Sequence, residues 1–280
     1  MLRLILKLGS QTNGLWNSIR SRFLIWQLDP YHPLLRTLSS RAPGTYHHSL
    51  VVGSLAEAAA LRIGADARLV RVGALYHDIG KAKWPALFGE NGLPSPHNHL
   101  APLTSARYII RHVADGVSMA QAHRLPAAVQ DLIAQHHGTT SVRYFLDKAV
   151  AAGQLVSDTL FRYPGPRPQT PEAGILMLAD CVEAAVRASQ PADQGRIVAL
   201  VTRLTEMRWA EGELADSGLT RTDLLEIQVA FRELLRSVYH TRPAYPPEVH
   251  LPALNHDRRL LPADGSPIAA PASDSSRHLT

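Results

Sequence analysis

Ionisable side chains interrupt the apolar faces of several predicted helices, and this pattern restricts the fold more than any other feature. Residues three, four and seven positions apart share one face of a helix. At this spacing His48 shares a face with Val52 and Leu55. His136 follows Ile133 on another apolar face. The sequence therefore predicts a bundle of helices that directs polar groups into its interior.

The apolar periodicity is helical over nearly the whole chain. No run alternates apolar and polar residues as a half-buried strand does, and no segment repeats. We therefore assign the chain to the all-α class, as a helical bundle. Two stretches rich in proline and glycine, 82–101 and 157–170, are predicted loops. The predicted helices cover 46–63, 67–78, 102–113, 126–137, 141–152, 171–188, 193–210 and 220–239.

Composition divides the chain into three predicted parts. Residues 1–40 form an N-terminal helical segment, with one or two short helices before a proline-containing turn at 29–35. Residues 41–245 carry the helical domain. From 246 to 280 the chain is rich in Pro, Ser and Ala and lacks helical period, so we expect a disordered tail.

The overall composition restricts the partners of the chain. Its 29 Lys and Arg residues exceed its 24 Asp and Glu residues, a net charge of +5, but the cations are scattered. A scattered excess suits an anionic ligand and argues against duplex nucleic acid as a partner. The single cysteine, Cys181, fits a reducing cytoplasm. No apolar run reaches the roughly eighteen residues of a membrane span, so we expect no integral membrane segment. The sequence leaves open whether the chain forms a homodimer.

A metal centre is the interpretation that accounts for the ionisable groups together. A single histidine on an apolar face is commonly a core residue with a hydrogen bond, whereas an unpaired buried carboxylate is costly. Five imidazoles and two carboxylates supply few donors for one another, but one or two divalent ions satisfy them all. The seven candidate ligands are His48, His77, Asp78, His112, His136, His137 and Asp180.

Ligand type and number indicate two ions. Imidazole and carboxylate without thiolate suit iron, manganese, zinc or cobalt. Seven ligands exceed what one ion can use if a substrate is also to bind, and a shared carboxylate allows two ions to lie side by side. The neighbouring His77 and Asp78 fit this arrangement, since one can ligate terminally while the other bridges.

The motifs that carry these residues resemble a known family. "HDIGK", "QHHGTT" and "MLADCVEAA", in that order, resemble the HDIG subgroup of the HD-domain metal-dependent phosphohydrolases. "APGTYHHSLVV", "LFGENG" and "FRYPGPRPQ" look like the cytosolic catalytic domain of the seven-transmembrane HD receptors. Those are the PgpH-type phosphodiesterases that hydrolyse cyclic di-AMP to linear pApA. The resemblance covers about residues 29–245 and implies the HD-domain helical bundle.

The resemblance also implies a ligand set. It implies two divalent ions, iron or manganese, with Asp78 bridging them. The first ion has the ligands His48, His77, Asp78 and Asp180. The second ion has the ligands Asp78, His112, His136 and His137.

Two departures from related patterns qualify the expected substrate. The cyclic di-GMP branch carries a longer signature, HHExxDGxGYP, whereas here His136 and His137 run into "GTTSVRYF". That difference argues against cyclic di-GMP. The transmembrane bundle and sensor domain of the receptors are not recognisable in the sequence. We therefore expect a free-standing relative or a fragment of a larger architecture.

The implied reaction is hydrolysis of a phosphodiester by a hydroxide held between the two ions. Asp78 and Lys81 are the predicted catalytic residues, although a solvated lysine at a helix end looks the same in sequence. Thr139 can donate to substrate or cap a helix, and the proline-rich loop around Tyr163 can line the site or simply cover the surface. The predicted substrate contacts are Lys81, Thr139, Arg162, Tyr163 and Arg167.

Two other functions remain open at the level of sequence. The HD scaffold also supports hydrolysis of another nucleotide or of a phosphomonoester, because a fold does not determine a substrate. A non-catalytic sensor that binds a nucleotide is the alternative outside enzymes. The complete ligand set favours an enzyme over a sensor.

Overall fold

Proline residues begin the first two helices in the part of the chain that the structure describes. In the computed structural model of the protein, helix α1 (Pro33–Arg41) follows His32, whose Nδ1 accepts the N–H of Leu34 at 3.3 Å. We predicted a turn over 29–35, and from Pro33 onward that prediction was wrong. Proline fixes a helical φ and lacks only an N–H that the first turn leaves unpaired, so it begins a helix as readily as it marks a turn.

The structure describes residues 29, 31–189 and 194–238, and within those ranges it contains helices and short 3-10 turns but no strand. An isolated antiparallel bridge joins Ser141 and Arg162. The predicted all-α class is confirmed. The remaining helices are α2 (Pro43–Ile63), α3 (Ala67–Tyr76), α4 (Pro102–Ala122), α5 (Ala127–Gln135), α6 (Arg143–Ala151), α7 (Pro171–Ser189), α8 (Gln194–Ala210) and α9 (Arg221–Val238).

Helix α4 differs most in length from its prediction. We expected a helix over 102–113, and it continues to Ala122. Asp115 and Gly116 are poor helix formers, but Asp115 accepts an ion pair from Lys83 Nζ at 2.8 Å. Gly116 packs against the chain at Gly80. These tertiary contacts stabilise a segment whose own helix propensity is low.

Helix α2 is central to the bundle. It packs against α3, α7 and α9, while α4 packs against α5 and α6. A large apolar cluster runs through α2, α3, α5, α7 and α9, and a smaller one that includes Ala106 and Phe145 joins α4 to α6, so that the helices carrying the candidate ligands are held in fixed relation to one another. Representative fully buried side chains of the large cluster are Leu38, Leu55, Val70, Ile133, Leu176 and Phe231.

Short 3-10 turns occupy parts of both predicted loops. The first loop contains Pro85–Leu87, Gly89–Asn91 and Pro96–Asn98, and the second contains Asp158–Phe161. No helix among the described residues is long and apolar enough to cross a membrane. The helices predicted within 1–28 and the disordered tail predicted at 246–280 lie outside the described residues. The division into three parts stays a prediction.

Candidate metal centre

Helices α3 and α5 end directly before the two ligand pairs. His77 and His136 are the residues that close these helices, and both keep helical backbone angles. The Nδ1 of His77 donates to the carbonyl of Ala74 at 2.7 Å, and the Nδ1 of His136 donates to that of Ile133 at 2.7 Å. Each bond commits the Nδ1 proton, so that Nε2, which faces the interior, is the ring nitrogen available to a metal ion.

The other ligands come from helix interiors. His112 in α4 donates its Nδ1 proton to the carbonyl of Ile109 at 2.6 Å. His48 in α2 donates from Nδ1 to the carboxylate of Glu183, and its Nε2 lies 3.1 Å from Asp180 Oδ1. We did not predict Glu183. The sequence did contain an indication of its position, because Glu183 lies three residues after Asp180 and so shares its helix face.

The two carboxylate oxygens of Asp78 face two different sets of histidines. Oδ2 lies 3.2 Å from His77 Nε2 and 3.7 Å from His48 Nε2. Oδ1 lies 3.2 Å from His112 Nε2 and 3.7 Å from His136 Nε2. A carboxylate with imidazole nitrogens on both sides has the geometry of a bridging ligand.

All seven predicted ligands meet in two groups that share Asp78. Within each group every residue offers one ligand atom, and these atoms lie within 4.8 Å of one another. The first group is His48, His77, Asp78 and Asp180. The second group is Asp78, His112, His136 and His137. The structure thus brings the candidate residues together in the division that the family resemblance implies.

The donor atoms fit a cation better than they fit one another. His77 Nε2 and Asp78 Oδ1 are buried and have no hydrogen-bond partner, and Asp78 Oδ2 is paired with the ammonium group of Lys81. The Nε2 atoms of His112 and His136 lie 3.2 Å apart, although both rings commit their Nδ1 protons to carbonyls. Two lone pairs at that distance repel unless a cation lies between or beside them. Imidazole and carboxylate donors without thiolate suit a divalent metal such as iron, manganese, zinc or cobalt.

Burial and neighbouring charges shift the pKa values of the candidate ligands in different directions. Burial would raise the pKa of Asp78, but His77 and Lys81 hold it well below its ordinary value. Burial would lower the pKa of His77, but Asp78 and Asp180 raise it to about 10. At His136 burial dominates, and with the nearby His77 it lowers the pKa to about 3. The carboxylates therefore draw positive charge to the centre, which a proton on His77 or a bound metal ion can supply.

Lys81 joins the centre to the loop that follows it. Its Nζ lies 2.8 Å from Asp78 Oδ2 and 3.0 Å from Glu90 Oε1, and it sits 5.0 Å from the centroid of the Phe88 ring. The Thr45 hydroxyl donates to the same Glu90 oxygen at 3.0 Å. Lys81 is therefore not the solvated helix-end lysine that the sequence left open.

An open cleft of about 610 Å³ borders the second group. Lys81 and Tyr163, two of the predicted substrate contacts, line it. The Tyr163 ring lies 4.3 Å from the His137 ring, centroid to centroid, and the two planes are tilted by 33°. Arg143 and Arg208 add cationic groups that we did not predict. Helices α7 and α8 supply an apolar part of the lining, which consists of Met177, Cys181, Ala184, Ala185, Leu204 and Met207.

The other predicted substrate contacts lie beside the cleft. The Thr139 hydroxyl donates to Glu213 Oε1 at 2.6 Å, and the neighbouring Thr140 lines the cleft instead. Arg162 lines an adjacent cavity of about 290 Å³ and donates to the carbonyl of Thr139 at 2.9 Å. Arg167 Nε lies 3.5 Å from the Thr139 hydroxyl. These contacts connect both arginines to the loop that carries the paired histidines.

Several known proteins are similar to this chain in sequence and in fold. The family model of the HD domain matches residues 45–185. The cyclic-di-AMP phosphodiesterase PgpH of Bacillus subtilis is 41% identical over 220 residues, which are 78% of this chain and 31% of the relative. The protein of the same name from Listeria monocytogenes is 40% identical over 225 residues, 80% of this chain and 31% of the relative. The chain thus spans about a third of the length of the curated relatives that it matches.

A solved structure extends the likeness to three dimensions. The HD domain of Listeria monocytogenes PgpH in complex with cyclic-di-AMP matches with a TM-score of 0.73 at 40% sequence identity. The match covers 76% of this chain and 100% of that chain. The family model spans half of this chain, and all seven residues of the two groups fall within it. This chain belongs to the HD domain family.

Proposed function

We propose that the chain is a two-metal phosphodiesterase that hydrolyses cyclic di-AMP to linear pApA. The observation that carries this proposal is the position of Asp78, whose two oxygens face the first and the second group separately. The relatives at about 40% identity support the substrate, since they are named for cyclic-di-AMP hydrolysis and one was solved with that ligand.

Two divalent ions, iron or manganese, are the proposed cofactors. The first group holds one ion and the second group holds the other, with Asp78 contributing to both. Such a pair acidifies water and stabilises negative charge on phosphoryl oxygens. The rings of His48, His77, His112 and His136 are each oriented by a hydrogen bond from Nδ1, so these donors need little rearrangement.

Lys81 is the proposed phosphate contact. An ammonium group has three N–H donors, and the carboxylates of Asp78 and Glu90 account for two of them. Lys81 lines the cleft, so the third donor is available to a phosphate oxygen there. Together with Asp78, Lys81 forms the proposed catalytic pair.

The cleft provides the proposed binding site for the rest of the substrate. Its volume of about 610 Å³ suits a ligand of this size. Tyr163, stacked on His137, offers an aromatic surface, and Arg143 and Arg208 offer charge for phosphates. Thr139, Arg162 and Arg167 stay predicted contacts.

The setting of the reaction is also a proposal. We propose that residues 41–245 contain the catalytic domain and that it acts in the cytoplasm, where a single reduced cysteine is expected. The proposed partner is the cyclic dinucleotide, with no role for duplex nucleic acid. A homodimer stays a prediction.

Turnover with defined metal is the direct test. Protein freed of metal and reloaded with manganese or iron is incubated with cyclic di-AMP, cyclic di-GMP and linear pApA in parallel, and the products are separated by chromatography. The H77A/D78A double variant removes ligands from both groups. The matched control is H123A/D131A, which changes a histidine and an aspartate at exposed positions outside the site.

Conversion of cyclic di-AMP to pApA by the wild type and by H123A/D131A, but not by H77A/D78A, is the expected result. Faster turnover of another nucleotide or of a phosphomonoester would assign a different substrate. Binding of cyclic di-AMP without turnover, with both ions bound, would indicate a sensor.

A further inference from the structure

We propose that Glu183 is a positioning residue that makes the first group the tighter of the two metal sites, so that the ions bind in a fixed order. This inference deepens the proposed function and rests on its two-metal centre. It concerns the residues behind the ligands rather than the ligands themselves.

Glu183 lies behind His48 and is almost completely buried, with 1% of its surface exposed. One of its carboxylate oxygens accepts the Nδ1 proton of His48. Arg187, one turn further along α7, donates from Nε to the two carboxylate oxygens at 3.2 and 3.4 Å. The guanidinium compensates the buried charge from the solvent side, because about a third of the Arg187 side chain is exposed. Glu183 is therefore held in place to orient one imidazole.

Among the described residues, no imidazole of the second group makes a hydrogen bond from Nδ1 to a carboxylate. His112 and His136 donate their Nδ1 protons to backbone carbonyls, which are neutral acceptors. The Nδ1 of His137 lies 3.5 Å from Asp180 Oδ2, and 24% of its side chain is exposed. A carboxylate acceptor orients a ligating imidazole and makes it more basic, whereas a carbonyl does so less.

The formal charges of the two groups also favour tighter binding of a cation in the first group. The first group contains two carboxylates, Asp78 and Asp180, with Glu183 directly behind its histidine. The second group contains three imidazoles and shares the single carboxylate of Asp78. A divalent cation is attracted more strongly to the more negative set of donors. The first ion should therefore bind to the first group, and the second group should hold the ion that exchanges more readily.

A calorimetric titration of the full chain with manganese tests this order. The wild type, freed of metal with a chelator, should bind two ions in two resolved steps of different affinity. E183Q keeps the shape of the side chain and an acceptor oxygen for His48 but removes the charge. We expect E183Q to weaken the tight step by roughly 10-fold or more and to leave the weak step within about 2-fold. E206Q, which removes a carboxylate from the exposed ion pair with Arg221, is the control and should change neither step.

A second variant tests the order from the other side. H137A removes a ligand from the second group alone, so it should abolish the weak step and retain the tight one. Circular dichroism reports whether each variant is folded, and if E183Q does not fold, H137A and the wild-type titration decide.

Several results would overturn the inference: two wild-type steps of equal affinity, an unchanged tight step in E183Q, or loss of the tight step in H137A. Binding of fewer than two ions by the wild type would remove the two-metal centre itself. Two ordered steps without hydrolysis of cyclic di-AMP would leave the inference standing and refute the proposed function.

Discussion

The backbone at Gly80 lies against the carbonyl of His112, so closely that a Cβ at position 80 would be 2.0 Å from that oxygen. Gly80 follows Asp78 within the 3-10 turn Ile79–Lys83, and His112 belongs to α4. Through this contact the turn that follows Asp78, a ligand in both groups, lies against the helix that carries His112, a ligand in the second group. The glycine of the "HDIGK" motif is thus required by packing.

Replacing Gly80 with alanine should therefore damage both the fold and the second group. The added methyl forces α4 away from the turn, and overpacking of this kind costs about 1–3 kcal/mol in the free energy of unfolding. We expect urea unfolding to show that loss and calorimetry to show weaker binding of the second manganese ion. G89A is the matched control, because a Cβ at Gly89 meets nothing within 4 Å. Equal stability and metal binding in G80A and G89A would contradict the prediction.

Lys81 should contribute to turnover in addition to pairing with the carboxylates of Asp78 and Glu90. If its ammonium group stabilises charge on the phosphate, K81M should lower kcat/KM for cyclic di-AMP by about 100-fold, as loss of one such donor does elsewhere. K83M is the matched control, since Lys83 pairs with Asp115 and does not line the cleft. Steady-state kinetics at saturating manganese measure the effect. A loss in K81M no larger than that in K83M would rule out the proposed phosphate contact.

The Thr139 hydroxyl should stabilise the fold at the loop that follows His136 and His137. It donates to the buried carboxylate of Glu213, which also accepts the backbone N–H of Thr139 at 2.9 Å. T139V leaves part of that carboxylate unpaired and should cost about 1–3 kcal/mol of unfolding free energy. T139S keeps the hydroxyl and should remain close to wild type. Equal unfolding free energies for T139V and T139S, measured in urea, would show that the hydrogen bond contributes nothing.

The stability of metal-free protein should pass through a maximum near neutral pH. Between about pH 3 and 6.5 the unfolded chain binds a proton at His136 that the folded chain excludes, so unfolding free energy rises with pH. Between about pH 6.5 and 10 the folded chain keeps a proton on His77 that the unfolded chain releases, so the unfolding free energy falls with pH.

Urea titrations in the presence of a chelator, from pH 5 to 9, measure this profile. Manganese should flatten the decline above neutral pH, because the bound ion replaces the proton on His77. H77Q should flatten it as well, whereas H123Q, at an exposed position, should not. A decline that is the same in H77Q and in H123Q would assign it to other groups.

The sequence by itself predicted the helical class, the approximate bounds of seven helices, the start of an eighth and the seven residues, Asp78 among them, that the structure brings together. These are properties of local pattern: helical period, and ionisable residues on faces that must be buried. The structure confirmed the all-α class and brought the seven residues together in two groups. The local pattern missed the helix that begins at Pro33 and the part of α4 that follows Val113. Proline and glycine at these places are compatible both with a helix and with the end of one.

Only the tertiary structure decided which side chains lie behind the ligands. Glu183 contacts His48 across 135 positions of sequence, Glu213 contacts Thr139 across 74, and Glu90 reaches Lys81 from a loop. A buried carboxylate must find a donor, but the sequence does not say which one, because that depends on how helices cross. The crossing is set by close packing, as at Gly80, and packing is a property of the whole bundle.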